Sequence, residues 1–162
     1  CPVWVDNDVN LIGLGSWRYG AGKHSKHLIV LAIGTGVGAG LLWEGRLYRG
    51  STGSAGEVGH MSLNPRGFRC ACGARGCLET EVGTQAILRR TRRAIRQGSV
   101  LLRVMAKREG SLTPEVVSRA AFAGDALARN IWIEVGYWLG LGLANLTQPE
   151  FLATLVVMKL RI

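Results

Sequence analysis

The order of apolar and polar positions predicts strands early in the chain and helices later. Val3–Val5 reads as a short strand end, and Asp8–Tyr19 as a helix with Asn7 or Asp6 as its cap. Leu28–Ile33 is an unbroken apolar run, hence a buried strand. A glycine turn over Gly34–Gly40 and a second strand from Leu41 to Trp43 would complete a tight hairpin. Arg49–His60 suggests a loop with a short helix, Met61–Leu63 a short strand, and Pro65–Cys77 an irregular loop. Helices follow: Gly83–Gln97, one opened by Thr113 as cap with Pro114 in the first turn, and Asp125–Leu146 ending at Gln148-Pro149. Phe151–Met158 reads as a last buried strand. Strands whose apolar residues do not alternate are covered on both faces, which implies a layered α/β fold.

Composition narrows this picture. The 162 residues are 48% hydrophobic and 19% charged, enough for one ordinary domain with a packed core. The longest uncharged stretches, Leu28–Trp43 and Val135–Pro149, are too short to span a bilayer, and no signal peptide is visible. The chain opens CPVWVDND and closes LVVMKLRI, as a piece cut from a larger protein would. Three of the four cysteines fall between Cys70 and Cys77, a spacing that suits a metal better than a disulfide framework and points to the cytoplasm.

The net charge of +9 raises the question of nucleic acid. Much of it lies between Arg89 and Arg108, where apolar Ile87, Leu88, Ala94 and Ile95 recur at helical spacing and arginines fill the other face. A solvated helix face is the favoured reading, because no recognition motif accompanies the charge.

Three segments carry chemistry. His60, Cys70, Cys72 and Cys77 form H-x9-C-x-C-x4-C, and imidazole with three thiolates is a closed tetrahedral set for structural zinc. The loop between them has almost no apolar residues, so a metal would staple what burial cannot. The alternative is three buried cysteines and an unrelated histidine. IGTGVGAG, Ile33–Gly40, follows a strand and leaves backbone N–H groups open to a phosphate, with Thr35 adding a hydroxyl. It lacks the ending of a P-loop, and a plain tight hairpin is the competing account. VDNDVN places Asp8 and Asn7 after a strand end, where a carboxylate could take a proton from a hydroxyl and an amide could hold substrate. Helix capping explains the same residues equally well.

Together these segments resemble the ROK family of repressors, open reading frames and sugar kinases, from Pro2 to about Phe151. IGTGVGAGL, eight further residues and GSTGSAGEVGH are similar to the family signature, as is Cys70–Glu79, CACGARGCLE. The resemblance implies a ribonuclease-H/actin-like architecture of two lobes with sugar and ATP between them. Residues 1–24 would be the tail of the first lobe, and 25–162 an incomplete second lobe with a zinc loop at 60–79. It implies that Asp8 is the catalytic base and that Asn7, Glu57, His60 and Glu79 contact the sugar. Gly34, Thr35, Gly36 and Gly38 would form a phosphate loop. His60 would then serve both zinc and sugar.

The implied activity is ATP-dependent phosphorylation of a hexose or N-acetylhexosamine, with structural zinc and Mg-ATP, in a homo-oligomer of the full-length protein. The alternative is a sugar-responsive repressor whose DNA-binding domain lies elsewhere. The DxGxT phosphate loop of family kinases is absent from this stretch, LVVMKLRI stands where an adenosine loop is expected, and Ser16 replaces a usual Glu. The chain alone is therefore expected to be inactive.

Overall fold

The computed structural model describes residues 1–3, 5–147 and 154–159. Its organising element is β1, Leu28–Ile33, in which Leu28, Val30 and Leu31 are wholly buried. β2, Val37–Trp43, pairs antiparallel with β1 from Leu28↔Leu42 to Ile33↔Val37. β3, Arg46–Leu47, adds to the far end of β2, and β4, Thr154–Lys159, runs parallel to β1, giving the order β3-β2-β1-β4. The expected hairpin is present, but β2 begins four residues earlier than Leu41. Only Gly34–Gly36 forms the turn, closed by the Gly34 N–H donating to the Gly36 carbonyl at 2.9 Å.

α1, Asp8–Tyr19, lies on this sheet. Ile12, Leu14 and Trp17 pack with Leu47, Val156 and Met158 around Leu28, Val30 and Leu42. Each fully buried aliphatic side chain contributes about 1.5–3 kcal/mol. Backbone shape matters as much as side chains here. A Cβ on Gly40 would sit 2.7 Å from the Val9 carbonyl oxygen and 3.0 Å from the Gly13 Cα. Two facing glycines thus let helix and strand touch backbone to backbone. Val3 and Val5, expected at a strand end, are exposed coil; Trp4 lies outside the described residues.

The remaining helices are α2 (Leu78–Val82), α3 (Thr84–Arg96), α4 (Val100–Arg108), α5 (Pro114–Phe122) and α6 (Ala126–Leu146). Thr113 caps α5 by accepting from the Val116 N–H, with Pro114 in the first turn as expected. α2 and α4 were not anticipated. Met61–Leu63 contributes an isolated bridge, Ser62↔Cys77, rather than a strand. The expected end of α6 at Gln148-Pro149 and start of the last strand at Phe151 lie outside the described residues.

The chain divides into two compact units, Cys1–Met61 with Leu143–Ile162, and Ser62–Gly142. Among the described residues no helix is long and apolar enough to cross a membrane.

Candidate functional site

The start of α1 is built from three consecutive polar residues with different tasks. Asn7 Oδ1 caps the helix, accepting from the N–H groups of Val9 at 2.9 Å and Asn10 at 3.4 Å. Asp6 anchors the approach: Oδ1 accepts from the Asn7 N–H and the Asn10 amide, and Oδ2 from Arg49 Nε at 2.9 Å and Nη2 at 2.5 Å. Those bonds, from Asn10 first and then Arg49, hold the Asp6 carboxyl below its ordinary pKa. Asp8 opens the helix, exposed. One of its oxygens accepts the Val9 N–H at 2.8 Å, and the other has no partner among the described residues. The cap uses only Oδ1 of Asn7, so its amide Nδ2 is left over from the cap.

The same end of α1 meets the glycine segment. Val9, the neighbour of Asp8, lies 3.3 Å from where a Cβ of Gly38 would be. Gly38 and Gly40 thus admit the helix, while Thr35 and Gly36 are exposed at the turn.

Beyond β3, the segment Gly56–His60 lies flush on the edge of β2. The Ala39 N–H donates to the Gly56 carbonyl at 2.7 Å. Gly56 has φ +96°, and any Cβ there would fall 2.0 Å from the Ala39 carbonyl oxygen, so only glycine fits. This docking leads into the 3-10 turn Val58–His60 and its preceding residue Glu57. Glu57 Oε2 is 3.8 Å from His60 Nε2.

The cysteine loop is folded by backbone bonds and sulfur. The Leu63 and Asn64 N–H groups both donate to the Gly76 carbonyl, Gly76 to Phe68, and Cys70 to Ala74 at 2.8 Å. Cys70, Cys72 and Cys77 form no disulfide, and the Cys72 and Cys77 sulfurs are 3.6 Å apart. Burial pushes the Cys77 thiol up to about 12, and the neighbouring Cys72 and Cys70 thiols add to it. The Ala74 backbone amide holds Cys72 below its ordinary value.

Ser62 bridges to Cys77 and His60 is two residues before Ser62, so chain connectivity carries the imidazole to the sulfurs. The four donor atoms lie within 4.8 Å of one another. A tetrahedron of zinc–sulfur bonds of ~2.3 Å spaces its sulfurs about 3.8 Å apart, close to what is seen. A dication would also offset the burial that keeps the Cys77 thiol protonated. The donor set fits zinc. Cys77 is also the residue preceding α2, which carries half-buried Glu79 in its first turn.

Sequence reasoning missed Arg49 and Asn10 as partners of Asp6. Asn10 belongs to the VDNDVN motif and could have been found there. Arg49 is 43 residues from Asp6, and no local pattern marks it.

A model of the ROK family matches residues 1–157. A glucokinase of Halalkalibacterium halodurans is 39% identical over 147 residues, covering 90% of this chain and 44% of its own. A xylose repressor of Caldicellulosiruptor bescii is 35% identical over 145 residues, covering 90% of this chain and 36% of its own. The crystal structure of a ROK family glucokinase from Streptomyces griseus in complex with glucose and AMPPNP superposes with a TM-score of 0.83. It is 33% identical, and the match covers 98% of this chain and 52% of that one. The α/β mixed sheet with its glycine strand and Cys/His loop is thus that of a sugar kinase and regulator family, and the chain belongs to the ROK family. It spans between about a third and a half of the length of these relatives.

Proposed function

We propose that this chain is the part of a ROK hexose kinase that carries the catalytic carboxylate and the sugar-binding groups. The observation behind this reading is Asp8: an exposed carboxylate with one oxygen unengaged, fixed at a helix start that is packed on the glycine strand. A carboxylate so placed accepts the proton of an attacking sugar hydroxyl as the γ-phosphoryl of ATP is transferred. The leftover Asn7 amide donates to a neighbouring hydroxyl. Glu57 and Glu79 accept from others, since ionised carboxylates are acceptors only.

Zinc would be held by His60, Cys70, Cys72 and Cys77, and would supply structural rigidity to the loop. An imidazole that gives one nitrogen to a metal keeps its other N–H for an acceptor, and Glu57 stands beside His60 for that bond. Thr35 and Gly36, with Gly34 and Gly38 shaping the turn, would face the phosphates of ATP, which magnesium accompanies. The ribonuclease-H/actin-like two-lobe architecture, the 24/25 division of lobes and a homo-oligomeric state belong to this same reading.

The test is phosphorylation of a hexose and N-acetylhexosamine panel by the full-length protein. Asp8→Ala should lower kcat by roughly 10²–10⁴-fold while leaving the sugar KM nearly unchanged. Turnover that survives the substitution would sink the assignment. A second reading, a sugar-responsive repressor, is favoured by the xylose repressor's match over nearly the same residues. It predicts sugar binding without ADP formation by the wild-type protein, and release of DNA on adding sugar.

A further inference from the structure

The arginine face of α3, expected to be solvated, is exposed at Arg92, Arg93 and Arg96, and part of it also lines a cavity of 710 Å³ within the unit Ser62–Gly142. Five arginines reach this cavity, Arg66, Arg89, Arg90, Arg93 and Arg96, against two carboxylates, Glu81 and Glu134. Five less two leaves three positive charges in excess. One arginine takes both carboxylates. Arg90 Nη2 is 2.7 Å from Glu81 Oε2 and its Nε is 2.9 Å from Glu134 Oε1. Its Nη1 donates to the Glu81 carbonyl, and Glu81 Oε1 accepts from the Asn64 amide. The Arg90 side chain is 12% exposed, so this pair of bonds neutralises a buried cation.

Among the described residues, neither lining carboxylate forms an ion pair with Arg66, Arg89, Arg93 or Arg96. Arg89 is the informative one. Its guanidinium stacks 3.7 Å over the Phe68 ring, and Nη2 donates to the Thr80 carbonyl at 2.7 Å. That fixes the plane of the fork and leaves its remaining N–H groups without a carboxylate. Burial first, and then the adjacent Arg90, hold Arg89 below its ordinary pKa. A bound anion would relieve both the desolvation and the like-charge contact. Arg93 and Arg96 are exposed on the same helix, and their side chains make no hydrogen bond or ion pair among the described residues. Ile131 and Trp138 give the cavity apolar wall.

We propose that this cavity binds a small organic phosphate monoester, its phosphate held by Arg89, Arg93 and Arg96 and its organic part set against Ile131 and Trp138. The volume falls in the range of small-molecule sites, about 300–1,000 Å³. A concave site with apolar wall suits such a ligand better than the extended backbone of a nucleic acid, which needs a stripe of cations along a surface. The inference holds whichever sugar, if any, the protein phosphorylates.

The test is calorimetric titration of the full-length protein with glucose 6-phosphate, inorganic phosphate and glucose, in wild type, Arg93→Gln/Arg96→Gln, and Arg92→Gln. Arg92 is exposed on the same helix but does not line the cavity, so it controls for general charge. Glucose 6-phosphate should bind saturably and more tightly than inorganic phosphate. The double variant should weaken it by at least about tenfold, and Arg92→Gln by no more than about twofold. Equal affinity in the double variant, equal losses in Arg92→Gln, or the absence of saturable binding would each overturn the site. A surface for nucleic acid would show instead as duplex DNA binding weakened alike by all three substitutions. Arg96→Gln alone supplies the milder change should the double variant melt early.

Discussion

The layer formed by α1, β1 and β2 and the loop Ser62–Cys77 keep their shapes by different means. In the layer, Leu28, Val30 and Leu42 are buried and glycines allow main chains to touch, so apolar contact and backbone shape do the holding. In the loop, Phe68 is 56% exposed and the buried side chains are sulfurs, so backbone bonds and, on the proposed reading, zinc do it. A region with an apolar core should tolerate loss of metal; a region without one should not.

Emptying the proposed zinc site gives the sharpest contrast. Structural zinc is worth about 10–16 kcal/mol in zinc-finger peptides, far more than the hydrogen bonds of a short loop. Chelation, or Cys72→Ser, should expose the amides of Cys70, Gly73 and Gly76 to hydrogen exchange and leave β1 protected. If loop and strand kept the same protection after the metal was gone, the comparison would be broken.

Next in size is Gly40→Ala. A methyl group forced against the Val9 carbonyl and Gly13 should destabilise the layer by about 1–3 kcal/mol. Thermal melting would register this, while zinc content stays at the wild-type level. An unchanged melting temperature would show that α1 can lift from the strand without penalty.

The smallest effect concerns acid. The Asp6 carboxyl has a folded pKa below its unfolded value of about 3.9. Its contribution is present above that value and is lost as pH falls through the lowered folded pKa. Asp6→Asn should therefore narrow its difference from wild type below pH ~4, with the gap largest near neutrality. A gap that widened in acid would contradict the linkage.

Legibility in the sequence followed how local the physics is. The Thr113-Pro114 start of α5 was readable because a cap and its first turn lie within four residues. The grouping of His60 with Cys70, Cys72 and Cys77 was readable because these residue types are rare and clustered along the chain. α2 was missed because five residues, LETEV, show too little periodicity. α4 was missed because Leu102 is its one buried residue, with Val100 and Val104 exposed, which blurs the apolar stripe. The start of β2 was hidden by Gly38 and Gly40, which read as turn although they serve helix packing. The fate of Arg90 was out of reach, because its partner Glu134 is 44 residues away and no period connects them.

The glycines of β2 also carry a lesson for anyone choosing substitutions on this scaffold. Strand statistics recommend valine or isoleucine at positions 38 and 40. A library weighted by those statistics would concentrate its failures there, and would shift the start of α1 that carries Asp8 before it altered any polar group. Selection for a stable fold should consequently keep glycine at positions 38 and 40, against the preference of the strand itself.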